Sequence, residues 1–360
     1  LKLHSSPVAM LLTKMAGPDA KGQALGRKER RKLKEQAKAD ALQPLREKLQ
    51  SQEPSEQLEA VEELLALEAV PLDSLLAADV LPWILQMSQE SANPELQRQA
   101  LWALLRFSEG RSDQTKQLVE QGALKRLTPL LDWRRTQEQA LQVLANIADA
   151  SEELREEVVQ SGIIDHVCQF NCHTEPLATM RKAAGLLRSV AGSPSAQSKR
   201  LVSTLSMLLT LNDDELLMTA CDALALQSYG DEKHLAVLLV NGAIERLVFL
   251  LDSTSEQVKA KAARALQRMA CASKTGMQAL LVCDPLPSLK DLLESEDLVV
   301  QREGATLVAN IIAFGGPHVQ EVLDAGCLPS LLARLQDGDE ETCRSCSLGV
   351  CALLRRNVYP

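Results

Sequence analysis

Aromatic side chains are nearly missing from this chain: they make up 2% of 360 residues, as three Trp, two Tyr and four Phe. Runs of β-branched residues are also few, and Leu, Ala, Glu and Gln dominate, which is the chemistry of helices rather than sheets. A core of Leu and Ala suits small, closely stacked helices. No stretch approaches the roughly 18 apolar residues of a membrane-spanning helix, so no membrane partner is expected. The early PVAMLL is too short for a secretory apolar region. The five His are scattered. No Ser-His-Asp ordering, paired-carboxylate motif, GxGxxG or P-loop occurs, and Gly315–Gly316 reads as a turn, not a phosphate cradle. The chain is therefore expected not to be an enzyme and to need no cofactor.

What is present begins with nine cysteines. Cys221, Cys271 and Cys351 sit in apolar helical patterns, where a free thiol behaves as a small core residue, and point to a reducing compartment. Cys343, Cys346 and Cys351 give one C-x-x-C with a neighbour, and Cys168, Cys172 and His173 share a turn. A structural zinc normally takes four ligands, and no second pair has suitable spacing, so no metal is expected. The net charge is −9 but uneven: residues 1–50 carry 12 Lys/Arg against 5 Asp/Glu, and the rest carry 27 against 43. A basic arm on an acidic body suggests self-association or basic partners. An acidic body argues against nucleic acid, whose phosphates it would repel. Residues 1–50 are thus read as a partly disordered or helical basic arm, and 51–360 as the folded body. The chain begins at Leu1, not Met, which points to a start upstream.

The body repeats. Helix stops fall at Asp79, Gly122, Gly162, Gly242, Asp284 and Gly326, separated by 43, 40, 80, 42 and 42 residues. The interval of 80 holds one unit without its Gly, near Lys199–Leu201. Each stop precedes an apolar helix ending in a Leu pair, such as Leu130–Leu131 or Leu292–Leu293, then a polar turn and an Ala-rich helix. Three helices in about 42 residues is the period of armadillo or HEAT units, which bury their apolar faces only by stacking. The expected fold is all-α: a right-handed superhelical solenoid of about seven such units plus a truncated eighth, with a concave groove. The final CSLGVCALLRRNVYP reads as a third helix lacking its neighbour.

The stretch from Trp102 to Leu124, WALLRFSEGRSDQTKQLVEQGAL, resembles the second armadillo repeat of the importin-α family. The Ser112–Asp113–Gln114–Thr115 element is its most telling part. Residues 58–84, with Pro71–Leu72–Asp73, resemble the family's first repeat. TACDALALQSYG, AARALQRMA and ATLVANIIAFGG match later third helices. The resemblance implies armadillo repeats and a groove that binds nuclear localisation signals, which are extended basic peptides. It implies a ladder of Asn side chains for the peptide backbone and Trp side chains for Lys or Arg stems.

Mapped onto this sequence, the ladder places Trp102, Arg106, Gly110, Thr115, Asn146, Arg264 and Asn310 in the groove. It is degenerate. Arg106 stands where Asn is expected, Gln142 and Thr306 where Trp is expected, and Arg268 again for Asn. Gly185, Ser189 and Asp222 fill further ladder positions. Arg106 and Arg268 are expected to repel a basic peptide. The resemblance implies a nuclear import adaptor, cytoplasmic or nuclear, with importin-β as a possible partner of the basic arm. The alternative is a general armadillo scaffold for a protein without such a signal.

Overall fold

The structure is a computed structural model that describes residues 42–67, 72–172, 174–193, 199–227 and 232–355. Most of the basic arm, Pro71 and His173 lie outside the described residues. Residues 42–49 are helical, with Leu42, Leu45 and Leu49 fully buried. The described residues contain helices and no strand.

The long helices are the third helices of the repeats: α1 Pro54–Ala66, α2 Pro94–Ser108, α3 Gln137–Ala150, α4 Leu177–Val190, α5 Asp214–Gln227, α6 Glu256–Ala272, α7 Leu298–Phe314 and α8 Glu340–Arg355. Between them lie shorter helices, such as Ser112–Glu120 and Ala123–Leu127 ahead of α3, and Lys274–Val282 and Leu286–Glu294 ahead of α7. This is the three-helix armadillo plan. The described residues ahead of α5 supply one short helix, Lys199–Leu208, where the sequence interval of 80 placed a unit without its Gly.

The fold divides into two units at Ile163. In the first, α1 packs on α2 and α2 on α3. In the second, α4 to α8 stack in chain order. Each third helix carries its apolar residues at helical spacing; on α2, Leu96, Ala100, Leu101, Ala103, Leu104 and Phe107 are all buried. That stripe faces its neighbours and leaves the opposite face to solvent.

The turn chemistry explains the period. All six sequence stops have positive φ, including Asp79 at 54° and Asp284 at 49° where Gly is replaced. A left-handed residue ends a helix and frees the next to start in a new direction. Asp is one of the side chains that tolerate this region. Some third helices begin from side-chain caps: Asn93 Oδ1 accepts from Leu96 N at 3.1 Å, and Asp297 Oδ1 from Val299 N at 2.8 Å. A buried Gln near the start of α2, α3 and α7 locks the preceding turn. Gln97 donates to Ser88 O at 3.0 Å, Gln137 to Leu131 O at 2.7 Å, and Gln301 to Ser295 O.

Close helix approach sets one more requirement. A Cβ at Gly304 of α7 would lie 2.8 Å from Leu292 Cβ, a rigid neighbour. Gly304→Ala is expected to lower the unfolding free energy by about 1 kcal/mol through overpacking, seen as a lower urea midpoint with unchanged slope.

Candidate functional site

The apolar stripe of α2 turns Trp102 outward. Its side chain is on the strip opposite Leu101 and Leu104 and remains 43% exposed. The buried face of α2 packs on α1 and α3.

Arg106 lies one turn further along. Its guanidinium folds back: Nη1 donates to Leu64 O at 2.8 Å and Nη2 to Leu67 O at 2.6 Å. These carbonyls close the C-terminus of α1, where acceptors lack helical partners and a positive charge is favoured. Arg106 is therefore a strut between α1 and α2, and its charge remains on this strip.

Asn146 of α3 reaches back to α2. Its Nδ2 donates to Ser108 Oγ at 3.0 Å, and its Oδ1 accepts from Gln142 Nε2 at 2.9 Å. A carboxamide has two donor hydrogens and two lone pairs, so one donor and one acceptor site remain. Gln142, at a Trp position of the ladder, orients that amide.

Two other expected groove residues belong to the scaffold. Thr115 is fully buried, and its hydroxyl donates to Arg111 O at 3.2 Å; it cannot wall a groove. Gly110 sits where a Cβ would come within 2.5 Å of Gln114 Oε1 and 2.9 Å of Leu72 Cδ1. Gln114 is itself fixed, accepting from Arg111 N at 2.9 Å and donating to Asp73 Oδ1 at 2.7 Å. The hydrogen bond from Gln114 and the Arg111 guanidinium hold the Asp73 carboxyl below its usual range. The described parts of the elements that looked most family-like, Leu72–Asp73 and residues 112–115, thus meet in one knot joining successive repeats.

In the second unit the strip is a charged ladder. Lys261 of α6 donates to both carboxylate oxygens of Asp222 on α5, at 2.9 and 2.7 Å. Arg264 of α6 donates to Glu303 Oε1 on α7 from Nε at 3.0 Å and from Nη2 at 2.6 Å. Arg302 of α7 pairs with Glu341 on α8. The Thr306 and Ser345 hydroxyls lie 2.8 Å apart. Each of these contacts joins residues 39 apart in sequence. Asn310 faces a cleft of about 620 Å³ between α7 and α8, and its Nδ2 has no hydrogen-bond partner among the described residues. The predicted residues therefore fall into two groups: Trp102, Arg106 and Asn146 with α2 and α3, and Arg264 and Asn310 with α6 and α7.

Trp83 is half-buried. Trp133 is 48% exposed beneath the Arg135 guanidinium, 5.1 Å from its ring centre. Among the described residues no group of three His, Cys, Asp or Glu side chains is placed to hold a metal ion, and no helix is long and apolar enough to cross a membrane. Cys343 donates its thiol to Gly338 O at 3.3 Å.

Cys221 is buried, as expected, but Cys271 and Cys351 are exposed. Both fall on the outward strip of their helices, one turn beyond Arg268 and Leu348. Burial pushes the Cys327 and Cys346 thiols up to about 11 and shifts Cys221 further in the same direction. Alkylation of the native protein near pH 8 is expected to mark Cys351 and Cys271 first, with Cys221, Cys327 and Cys346 modified only after unfolding. Peptide mass spectrometry at timed quenches checks the order.

No protein-family model matches the chain. It is 31% identical over 269 residues to importin subunit alpha-1b of Oryza sativa subsp. japonica, covering 72% of this chain and 50% of that protein. It is 28% identical over 288 residues to importin subunit alpha-1a of the same plant, covering 77% and 55%. The crystal structure of an engineered protein superposes with a TM-score of 0.78 at 26% identity, covering 98% of this chain and 87% of that one. The chain spans about half the length of the curated relatives it matches.

Proposed function

We propose that this armadillo-repeat chain, similar in sequence to the importin-α subunits, is a non-enzymatic binding protein. It takes an extended peptide on the third-helix strip of its first unit and serves protein import into the nucleus. The observation that carries this reading is Trp102, exposed on α2, with Asn146 of the neighbouring α3 anchored to Ser108 of α2. The spare donor and acceptor of the Asn146 amide suit a peptide main chain. The indole face suits the stem and charge of a Lys or Arg, and the exposed Glu109 adds attraction for a cation. On this reading the basic segment within residues 1–50 is the place for an importin-β partner, and the protein works in the cytoplasm and the nucleus.

Titration with a basic bipartite signal peptide tests it. Saturable binding is expected, with Trp102→Ala weakening it about fivefold, the scale of one exposed cation–π contact. Absence of saturation, or an unchanged affinity in the variant, overturns the reading.

One observation favours a second reading, a scaffold for a partner lacking such a signal. In the second unit the ladder positions hold Gly185, Asp222, Arg264 and Thr306, and Asp222 and Arg264 are committed to ion pairs. A pull-down in which the captured proteins carry no basic signal and importin-β is absent would favour it.

A further inference from the structure

We infer that the outer face of α8 docks a second copy of this chain, with the two α8 helices antiparallel across a two-fold axis. This goes beyond the proposed function and does not rest on it.

In the second unit the third helices stack in a fixed register. Arg302, Thr306 and Ala309 of α7 meet α8. Arg302 pairs with Glu341, the Thr306 and Ser345 hydroxyls lie 2.8 Å apart, and a Cβ on Gly349 would stand 3.3 Å from Ala309 Cβ and 3.7 Å from Ile312 Cδ1. α7 opens at Leu298 and α8 at Glu340, 42 residues later, so the matching positions on α8 are Arg344, Leu348, Cys351 and Leu354. Ala309 and Ile312 are buried on α7, whereas Cys351 is exposed on α8, with Leu348 64% and Leu354 53% exposed. The shorter helix ahead of α8, Cys327–Asp337, behaves alike. Lys290 of the preceding repeat reaches to 3.8 Å from where a Gly326 Cβ would stand, and its counterpart 42 residues on, Leu332, is exposed. Leu332, Leu348, Cys351 and Leu354 thus form an apolar end face left uncovered by the described residues. Exposed apolar faces of this kind mark interaction surfaces.

Charge selects the occupant. Glu340, Arg344, Leu348, Cys351 and Arg355 follow at helical spacing and share one stripe of α8. Glu340 opens the stripe with 90% of its side chain exposed, and its carboxylate lies 3.6 Å from Arg344. Arg355, also exposed, closes it. A stripe with a carboxylate at one end, apolar side chains in the middle and a guanidinium at the other complements itself when run antiparallel, which is the geometry of a two-fold interface. With the axis near Leu348, Glu340 and Arg355 stand about 11 Å from it on opposite sides, at the helical rise of about 1.5 Å per residue. Glu340 of each copy then faces Arg355 of the other, Arg344 lies against the small Cys351, and the two Leu348 side chains meet at the axis. The guanidinium–carboxylate pair, a well-matched one, is formed twice. A uniformly basic or acidic peptide would match one end of this stripe and be repelled at the other.

Sedimentation equilibrium of the whole chain, over a wide range of protein concentration, tests this. A monomer–dimer equilibrium is expected. Arg355→Glu sets like charges opposite each other twice and is expected to weaken the dimer at least about tenfold. Glu340→Arg is expected to do the same, whereas the double variant carrying both changes recovers most of the affinity. All these positions are exposed, and circular dichroism checks that each variant is folded. A second readout needs no variant. In dilute solution Cys351 is expected to be alkylated alongside Cys271, and at concentrations that favour the dimer Cys351 slows while Cys271 does not. The inference is overturned if the chain stays monomeric throughout, if the double variant associates no better than the single ones, or if self-association leaves Cys351 as reactive as in dilute solution.

Discussion

Replacing Arg264 by Met is expected to lower the unfolding free energy by about 3 kcal/mol at neutral pH. The reason is the partner it leaves behind. Glu303 sits on α7 with its side chain 8% exposed, and Arg264 supplies its two short hydrogen bonds. The other nearby cation, Arg302, is 3.7 Å away and is also engaged with Glu341. Without Arg264 the carboxylate is buried with one distant counter-charge. Adding Glu303→Leu to Arg264→Met should restore most of the loss, because a buried ion pair is stabilising mainly against the loss of one member. Urea unfolding of the single and double variants at pH 7 checks both statements. A double variant no more stable than Arg264→Met would contradict them.

The second large effect is expected at Asp213, which does two jobs at the start of α5. Its Oδ1 accepts from Leu216 N at 3.0 Å, capping the helix, and from Arg181 Nε at 3.1 Å. Its Oδ2 accepts from Arg181 Nη2 at 2.6 Å, which ties α5 to α4. The side chain is 10% exposed. Asp213→Ala should cost about 2 kcal/mol, from the lost cap and the lost charge-assisted bonds together. The Arg181 guanidinium, with help from the Leu216 N–H, holds this carboxyl below its ordinary value. The unfolded value is about 3.9. A depressed folded pKa contributes stability that is fully present above the unfolded pKa and is lost as pH falls through the folded one. The gap between parent and variant should therefore be constant from pH 7 to about 5 and close at lower pH. A gap that widened on acidification would be inconsistent with this role.

Much of the fold is legible in the sequence because each repeat needs the same turn. Gly122, Gly162, Gly242 and Gly326 mark left-handed stops, and Asp79 and Asp284 stand in the same places with the same backbone sign. The apolar stripe around Leu101 and Leu104 locates α2, and what that stripe excludes locates Trp102. The contacts that join repeats were less visible. They link residues 39 apart, as in Lys261 with Asp222 and Arg264 with Glu303, whereas pattern reading follows spacings of three and four. Opposite charges one repeat apart on successive third helices are the signal that finds them. Arg106 and Thr115 show the limit of mapping by position. The ladder register places both in the groove, but a long side chain can turn back to a helix terminus, and a Thr in the first turn of a packed helix can be wholly buried. The apolar sequence around Cys271 and Cys351 suggests core positions, yet both are exposed.

The most direct test of the central claim is photo-crosslinking of a basic signal peptide that carries a photoreactive residue, with the adducts mapped by mass spectrometry. The account predicts adducts on α2 and α3, concentrated at Trp102, Glu109, Gln142 and Asn146. Adducts confined to the shorter helices, for example around the exposed Phe249 or Val282, would contradict it.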